Sequence, residues 1–352
     1  MSLKSGLTIA AGMFVLLAGF QCLAAEPAPA VREIPARTIP VPATVSPELQ
    51  KAIEAPWIGA DWKQPTSSAE WKASVKPVNE MMEKRLPALK EQLKVTVTPK
   101  TIAGVPVFVV KPEAIAKENA RRKLVHLHGG AYVYLAGESA AFEAILMAHY
   151  GKIEVISVDY RMPPDYPFPA ALDDAVAVWK DVVKSQNPKT VGLFGTSAGG
   201  GLTLATVLKL KELKLPLPGA IMAGTPWSDL SKTGDTYFAN EVIDNVLNSA
   251  DGRLLAAARL YAGKHDLKEP LLSPVYGDLS GFPPTVLLSG TRDLFLSNTV
   301  RVHQKLLEAK VPAELLVYEG QSHAHYMIVN DAPECAIAYR QVTRFFERNL
   351  SK

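Results

Sequence analysis

Residues 191–210 read "VGLFGTSAGGGLTLATVLKL". Five glycines crowd around Ser197, between an apolar run at Val191 to Phe194 and a longer one at Leu202 to Leu210. Glycine in place of alanine costs a regular element roughly 0.5–1 kcal/mol, so several at one point mark a backbone path that a side chain would block. The first run is short and apolar, as a strand buried on both faces is. The second is long enough for a helix. Gly195-Thr196-Ser197-Ala198-Gly199, set between strand and helix, is the context of the G-x-S-x-G nucleophile elbow, in which a sharp turn pushes a serine hydroxyl out over a sheet. The competing reading is a glycine-rich turn with an incidental serine.

The same rhythm extends in both directions from the elbow. Val95 to Thr98 and Val105 to Val109 read as a hairpin turning at Ala103-Gly104. Leu124 to Leu127, Val155 to Val158, Ile221 to Ala223, Val286 to Leu288 and Leu315 to Val317 read as short buried strands. Helical stretches fall between most of them, at Ala140 to Tyr150, Ala170 to Lys184, Ala198 to Leu213 and Ser297 to Ala309. This alternation predicts an α/β fold, a mostly parallel central sheet flanked by helices, with right-handed crossovers. Two segments break the rhythm. Residues 48–93 are helical and carry Trp57, Trp62 and Trp71, which read equally well as local core or as a cover over something. Residues 231–269 separate two strands and hold helical segments only. Together they are expected to form a helical cap over the C-terminal edge of the sheet, where open α/β sheets place their ligands. The catalytic domain then spans 94–352.

A serine is a poor nucleophile without a base. In elbow enzymes the chain order is serine, acid, histidine, so the base is sought downstream, among His265, His303, His323 and His325. His265 lies in the polar insertion and His303 mid-helix. His323 follows the strand at Leu315 to Val317 across "YEGQS" and is the candidate, with His325 the alternative. Asp293 in "TVLLSGTRDLFLS" lies just past the preceding strand and is the candidate acid; Asp229 in "TPWSDL" competes. An acid there orients the imidazole and stabilises its protonated form.

Attack on a carbonyl also needs donors waiting for the developing oxyanion. "HLHGGAYVYL" follows the strand at Leu124 to Leu127. Its Gly129 and Gly130 N–H groups, with that of Ala198, are the expected oxyanion hole. His126 and His128 share a spacing with His323 and His325 that also fits a metal pair, but no acid or thiol stands near either pair in sequence. No metal and no other cofactor is assigned. Tyr132, Tyr134, Trp227 and Phe238 are candidates for lining a substrate pocket, or for packing.

The chain has 352 residues, 48% hydrophobic and 21% charged, with a formal charge of +3. That is ordinary for a globular protein with a large core. No basic run points to nucleic acid. Residues 1–25 read as a secretory signal: Lys4, an apolar stretch from Leu7 to Phe20, and a small-residue end at Ala24-Ala25. The stretch is short for a membrane span. A Pro-rich linker, 26–47, follows, and "SPELQKAI" from Ser46 opens a helix with an N-cap serine and Pro47 at its first position. The expectation is export, periplasmic or secreted, with no stable membrane span after cleavage. Cys335 then stands alone, so the mature chain has no internal disulfide.

Several motifs together resemble the hormone-sensitive lipase family of α/β-hydrolases, in its bacterial carboxylesterase and lipase branch. They are "HGGAY" at 128–132, "DYRMPPDYPFPAALDD" at 159–174, "GTSAGG" at 195–200, "SGTRDLFLS" at 289–297 and "YEGQSHAHY" at 318–326. Thr196 stands where many members carry Asp, as in the GTSAG subgroup, and Ala131 replaces the family's usual third glycine. The resemblance implies an α/β-hydrolase fold with a cap, a mainly structural role for Asp159-Tyr160-Arg161, and serine hydrolysis of small, short-acyl carboxylic esters. Lactonase, deacetylase and lipase share the mechanism. A non-catalytic ligand-binding protein on the same scaffold, and a homodimer, are the further options it leaves open.

Overall fold

One eight-stranded sheet organises the computed structural model of the chain, which describes residues 31–57, 59 and 61–352. The expected signal, 1–25, and the first part of the linker lie outside the described residues; 31–40 has no regular secondary structure. Residues 41–352 form a compact unit of their own.

The strands are β1 (Val95–Ile102), β2 (Val105–Pro112), β3 (Lys123–Leu127), β4 (Glu154–Val158), β5 (Val191–Thr196), β6 (Ala220–Gly224), β7 (Thr285–Gly290) and β8 (Ala313–Tyr318). They lie in the order β1-β2-β4-β3-β5-β6-β7-β8. β1, β2 and β4 pair antiparallel; the remaining pairs are parallel. The helices are α1 (Pro47–Glu54), α2 (Ser68–Leu93), α3 (Phe142–Gly151), α4 (Ala170–Ser185), α5 (Ala198–Glu212), α6 (Thr236–Ala239), α7 (Arg253–Ala262), α8 (Leu296–Glu308), α9 (His325–Ile328) and α10 (Pro333–Asn349).

Strand alternation builds a core on each face. Phe194, Met222 and Val286 pack with Ile145 and Leu146 of α3 and Phe345 of α10. Their neighbours Leu193, Ile221 and Leu287 pack on the other face with Trp179 of α4, Leu204 of α5 and Val302 of α8. Every residue of β4 to β7 is buried, which explains their continuous apolar sequences. β8, at the sheet edge, is only partly covered. β1 runs to Ile102, beyond the expected Thr98, because its outer half is an exposed polar strand without an apolar signal.

The two segments that break the rhythm meet the loops at the C-terminal ends of the strands. Asn79 of α2 accepts the Leu135 N–H at 2.8 Å, and Lys90 pairs with Glu138 at 2.6 Å; both partners follow β3. In the insertion, Asn240 donates to the Asp293 carbonyl at 2.9 Å, after β7. The Asn245 N–H reaches Ser322 Oγ at 3.3 Å, after β8. Trp62 and Trp71 lie with ring centroids 6.4 Å apart within the N-terminal segment, and Arg253 of α7 sits 5.9 Å from the Trp57 ring, a contact that links this segment to the insertion.

Candidate active site

β5 ends at Thr196 and α5 begins at Ser197 as its N-cap, with φ 63° and ψ −122°. A non-glycine residue there costs about 1–3 kcal/mol and persists only if its surroundings over-determine it. They do. The Ser197 N–H donates to the Gly224 carbonyl at 2.8 Å, and its own carbonyl accepts from Gly201 and Trp227 at 3.0 and 2.9 Å. Gly199 leaves room for the end of β3, since a Cβ there would run into the Leu127 carbonyl. The serine is half-buried.

His323, on the loop after β8, and Asp293, after β7, are both buried. His323 Nδ1 lies 3.1 Å from Asp293 Oδ1 and 2.9 Å from Thr225 Oγ1. Thr225 donates in turn to Asp293 Oδ2, Ser289 Oγ donates to the same oxygen at 2.6 Å, and the Phe295 N–H to Oδ1 at 2.9 Å. The carboxylate thus accepts on both oxygens. Burial alone would raise its pKa, but the His323 charge and the His323, Ser289 and Thr225 hydrogen bonds hold it below the ordinary value of 3.8. Thr225 also brackets the candidate nucleophile, because it directly follows Gly224, the acceptor for the Ser197 N–H. Among the described residues, Ser197 Oγ makes no hydrogen bond to His323; such contacts often tighten only with substrate bound.

The alternatives are otherwise engaged. His325 Nδ1 accepts from the Ser322 N–H at 3.3 Å, and burial first, then the His323 charge, lowers its pKa to about 4. Asp229 is held by Arg301 at 2.6 Å and by the Tyr276 hydroxyl at 2.8 Å.

Gly129 sits against the elbow: a Cβ on it would lie 2.9 Å from the Thr196 carbonyl and 3.5 Å from Ser197 Cβ. Gly130 has φ +101°, a conformation open to glycine, and its carbonyl accepts from Val133 and Tyr134 at 3.0 and 2.8 Å. Among the described residues no acceptor takes the N–H of Gly129, Gly130 or Ala198. The Ala198 group is one of the donors that every helix start leaves free. Tyr160 braces the loop from behind, donating to the His128 carbonyl at 2.6 Å and stacking on the His128 ring at 4.0 Å.

Comparison with known proteins identifies the fold and the family. A family model described as an α/β hydrolase fold fits residues 124–327. The crystal structure of an esterase E25 superposes with a TM-score of 0.88 at 42% identity, over 91% of this chain and 99% of that one. An esterase from the bacterial hormone-sensitive lipase family superposes at 0.68 with 25% identity, over 82% of this chain and 100% of that one. The chain belongs to the hormone-sensitive lipase family of α/β hydrolases. An acetyl-hydrolase of Streptomyces hygroscopicus is 34% identical over 60% of this chain and 71% of its own length. An esterase of Acinetobacter venetianus is 29% identical over 71% and 82%.

In this hormone-sensitive lipase family member the residues expected to line a pocket do not all come together. Tyr132 and Trp227 are buried in an aromatic row: Tyr261 on Tyr132 at 3.8 Å, Tyr132 on Trp227 at 6.2 Å, Trp227 on Phe295 at 5.7 Å, Phe295 against His323 at 4.9 Å. Phe238 instead is 63% exposed, with Lys232 over its ring at 5.2 Å; its neighbour Tyr237 takes the inward position and donates to the Asp229 carbonyl. Tyr134 is partly buried against the core. A cleft of about 550 Å³ opens between α2 and the 159–166 turn, bordered by Val133 and Ala136; neither Ser197 nor His323 lines it.

His126 and His128 serve separate contacts. His126 lies 2.9 Å from Ser157 Oγ and 3.1 Å from Glu143 Oε2. Glu143 also accepts from Thr196 Oγ1 at 2.6 Å, and Thr196 Oγ1 lies 2.7 Å from the Tyr326 hydroxyl. This buried network braces the elbow from below. The Asp-Tyr-Arg corner divides its work: Arg161 pairs with Asp174 at 2.7 Å, and Asp159 Oδ1 accepts the Gly137 N–H at 3.0 Å. Sequence reading did not single out Thr225, Ser289 or Glu143. Thr225 had one local mark, its place directly after a strand facing the elbow.

Proposed function

We propose that this chain hydrolyses small, short-acyl carboxylic esters through an acyl-enzyme on Ser197. That it is a carboxylic ester hydrolase follows from its family and from the esterases it resembles. The observation that carries the finer reading is His323 Nδ1 seated on Asp293. That contact directs Nε2 outward as the acceptor for the serine proton. Ser197 attacks the carbonyl while Gly129, Gly130 and Ala198 donate to the oxyanion. The proton on Nε2 then passes to the departing alcohol. Water, deprotonated by the same imidazole, releases the acid. The buried Tyr132–Trp227 stack beside the first turn of α5 supports a small acyl site.

A fluorophosphonate probe tests the nucleophile. It is expected to add one label per chain, mapped to Ser197 by peptide mass; a label elsewhere, or none, rejects the assignment. In a series of aryl esters from acetyl to palmitoyl, kcat/KM is expected to peak at four carbons or fewer and to fall at least about tenfold by palmitoyl. A peak at palmitoyl overturns the short-acyl reading. A ligand-binding protein without turnover is the other reading; no labelling together with no hydrolysis of any ester or lactone would favour it. Export, with loss of 1–25, and pairing of two copies complete the proposal. They are supported by the N-terminal pattern and by the partly covered edge strand β8. The mass of the chain recovered outside the cytoplasm, and its size in solution, test them.

A further inference from the structure

Asp244 lies in the insertion between β6 and β7, and it is fully buried. Its carboxylate oxygens face two ways. Oδ1 accepts the Val246 and Leu247 N–H groups at 2.9 and 3.1 Å, closing a local turn. Oδ2 accepts the N–H of Leu294 at 2.8 Å and that of His323 at 3.3 Å. Leu294 directly follows the candidate acid, and His323 is the candidate base. The next residue, Asn245, donates its side-chain amide to the carbonyls of Ala52 and Ala55 at the end of α1, at 2.7 and 2.8 Å. One dipeptide therefore joins α1, the insertion, the acid loop and the base loop.

We propose that Asp244 is a positioning residue for the acid–base pair, an ionised carboxylate from the insertion that holds the backbones of the Asp293 loop and of His323 in register. The proposal rests on the triad reading above. An ionised carboxylate is acceptor-only on both oxygens and so serves both pairs of N–H groups with no donor set against them. An amide or a protonated acid turns a donor toward one pair.

The charged groups that face Asp244 are Asp293 and His323. Burial first, then Asp293, raises its carboxyl to about 6, while His323 and the Leu294 and Leu247 N–H groups pull the other way. As pH falls from about 7 to 5, the folded chain takes up a proton here that the unfolded chain takes up only near the ordinary value of 3.8. That uptake favours the fold, since a buried charge is lost, yet it loosens the tie. Asp244 thus makes activity and stability respond in opposite directions to one proton.

The test compares wild type with Asp244→Asn. Active sites are counted with the fluorophosphonate probe, and kcat, KM and Tm are followed on a butyryl aryl ester from about pH 4.5 to 9. Asn keeps one oxygen for the Val246–Leu247 turn, so folding is expected to survive. At pH 8, kcat per labelled site is expected to fall about 10- to 100-fold, with KM within about threefold, as for a base displaced by a fraction of an ångström. The wild-type acid limb is expected to be steeper than one proton, and that of the variant to follow one. Turnover of the variant within about twofold of wild type at every pH overturns the proposal. So does a wild-type acid limb that fits one ionisation, which decides the matter even if the variant does not fold. Failure of the triad reading shows separately, as turnover retained by Ser197→Ala.

Discussion

Ser197→Ala is expected to cut kcat on a butyryl aryl ester by about 10⁴-fold or more, abolish fluorophosphonate labelling and leave the fold intact. The hydroxyl makes no hydrogen bond among the described residues, and the strained backbone at φ 63° is held by main-chain contacts to Gly224, Gly201 and Trp227 that alanine keeps. No buried polar group loses a partner, so Tm is expected to move by no more than a surface substitution moves it. The residual rate would come from the free N–H groups of Gly129, Gly130 and Ala198, which still polarise a bound carbonyl. A variant that turns over within about tenfold of wild type would show that Ser197 is not the nucleophile.

Asp293→Asn is expected to lower kcat by about 10³- to 10⁴-fold with a smaller change in KM. Oδ1 faces two N–H donors, from Phe295 and His323, whereas Oδ2 faces the hydroxyls of Ser289 and Thr225, which can accept as well as donate. The asparagine amide is therefore expected to place its oxygen toward the N–H groups and its NH₂ toward the hydroxyls. Orientation is largely kept. The negative charge that stabilises the protonated imidazole is lost, and the rate falls for that reason. Asp293→Ala would remove orientation too. It would leave buried donors unpaired at about 1–3 kcal/mol each, so a much lower Tm is expected.

The pH dependence of stability follows from the same contacts. The folded Asp293 carboxyl is held below 3.8, so its stabilising contribution is fully present above the unfolded value and is lost as pH falls through the folded one. The Tm gap between wild type and Asp293→Asn is expected to be widest at neutral pH and to close below about pH 4. A gap that stays constant from pH 7 to 3 would mean that the carboxylate charge is not what the surrounding donors hold.

The elbow and the two-faced sheet were legible because they are local. Strand alternation repeats every two residues, and the glycines and serine of the elbow stand within five consecutive positions, 195–199. Phe194 and Leu193 fall on opposite faces because they are neighbours in an extended chain. Buried β4 to β7 betray themselves by unbroken apolar runs, whereas the exposed outer half of β1 carries no such mark. Ser197, Gly129 and Gly130 were likewise within reach, since each stands next to the strand end that positions it.

Other assignments waited on contacts between distant segments. Asp293 and Asp229 are both loop acids just past strands, and both have the local look of a helix cap or a solvated turn. Tertiary structure gives Asp229 to Arg301 and Asp293 to His323. His323 and His325 differ by one turn of backbone: one ring meets a carboxylate, and the other accepts a main-chain N–H. Asp244 had no sequence signature at all, and Thr225 had only its place directly after β6. A short polar residue reads the same whether it closes its own turn or also grips a chain segment fifty or more positions away. The sequence by itself determined the layers, the elbow and a short list of partners. Only the folded chain decided which of those partners share a hydrogen bond, because that depends on where strands far apart in sequence place their ends.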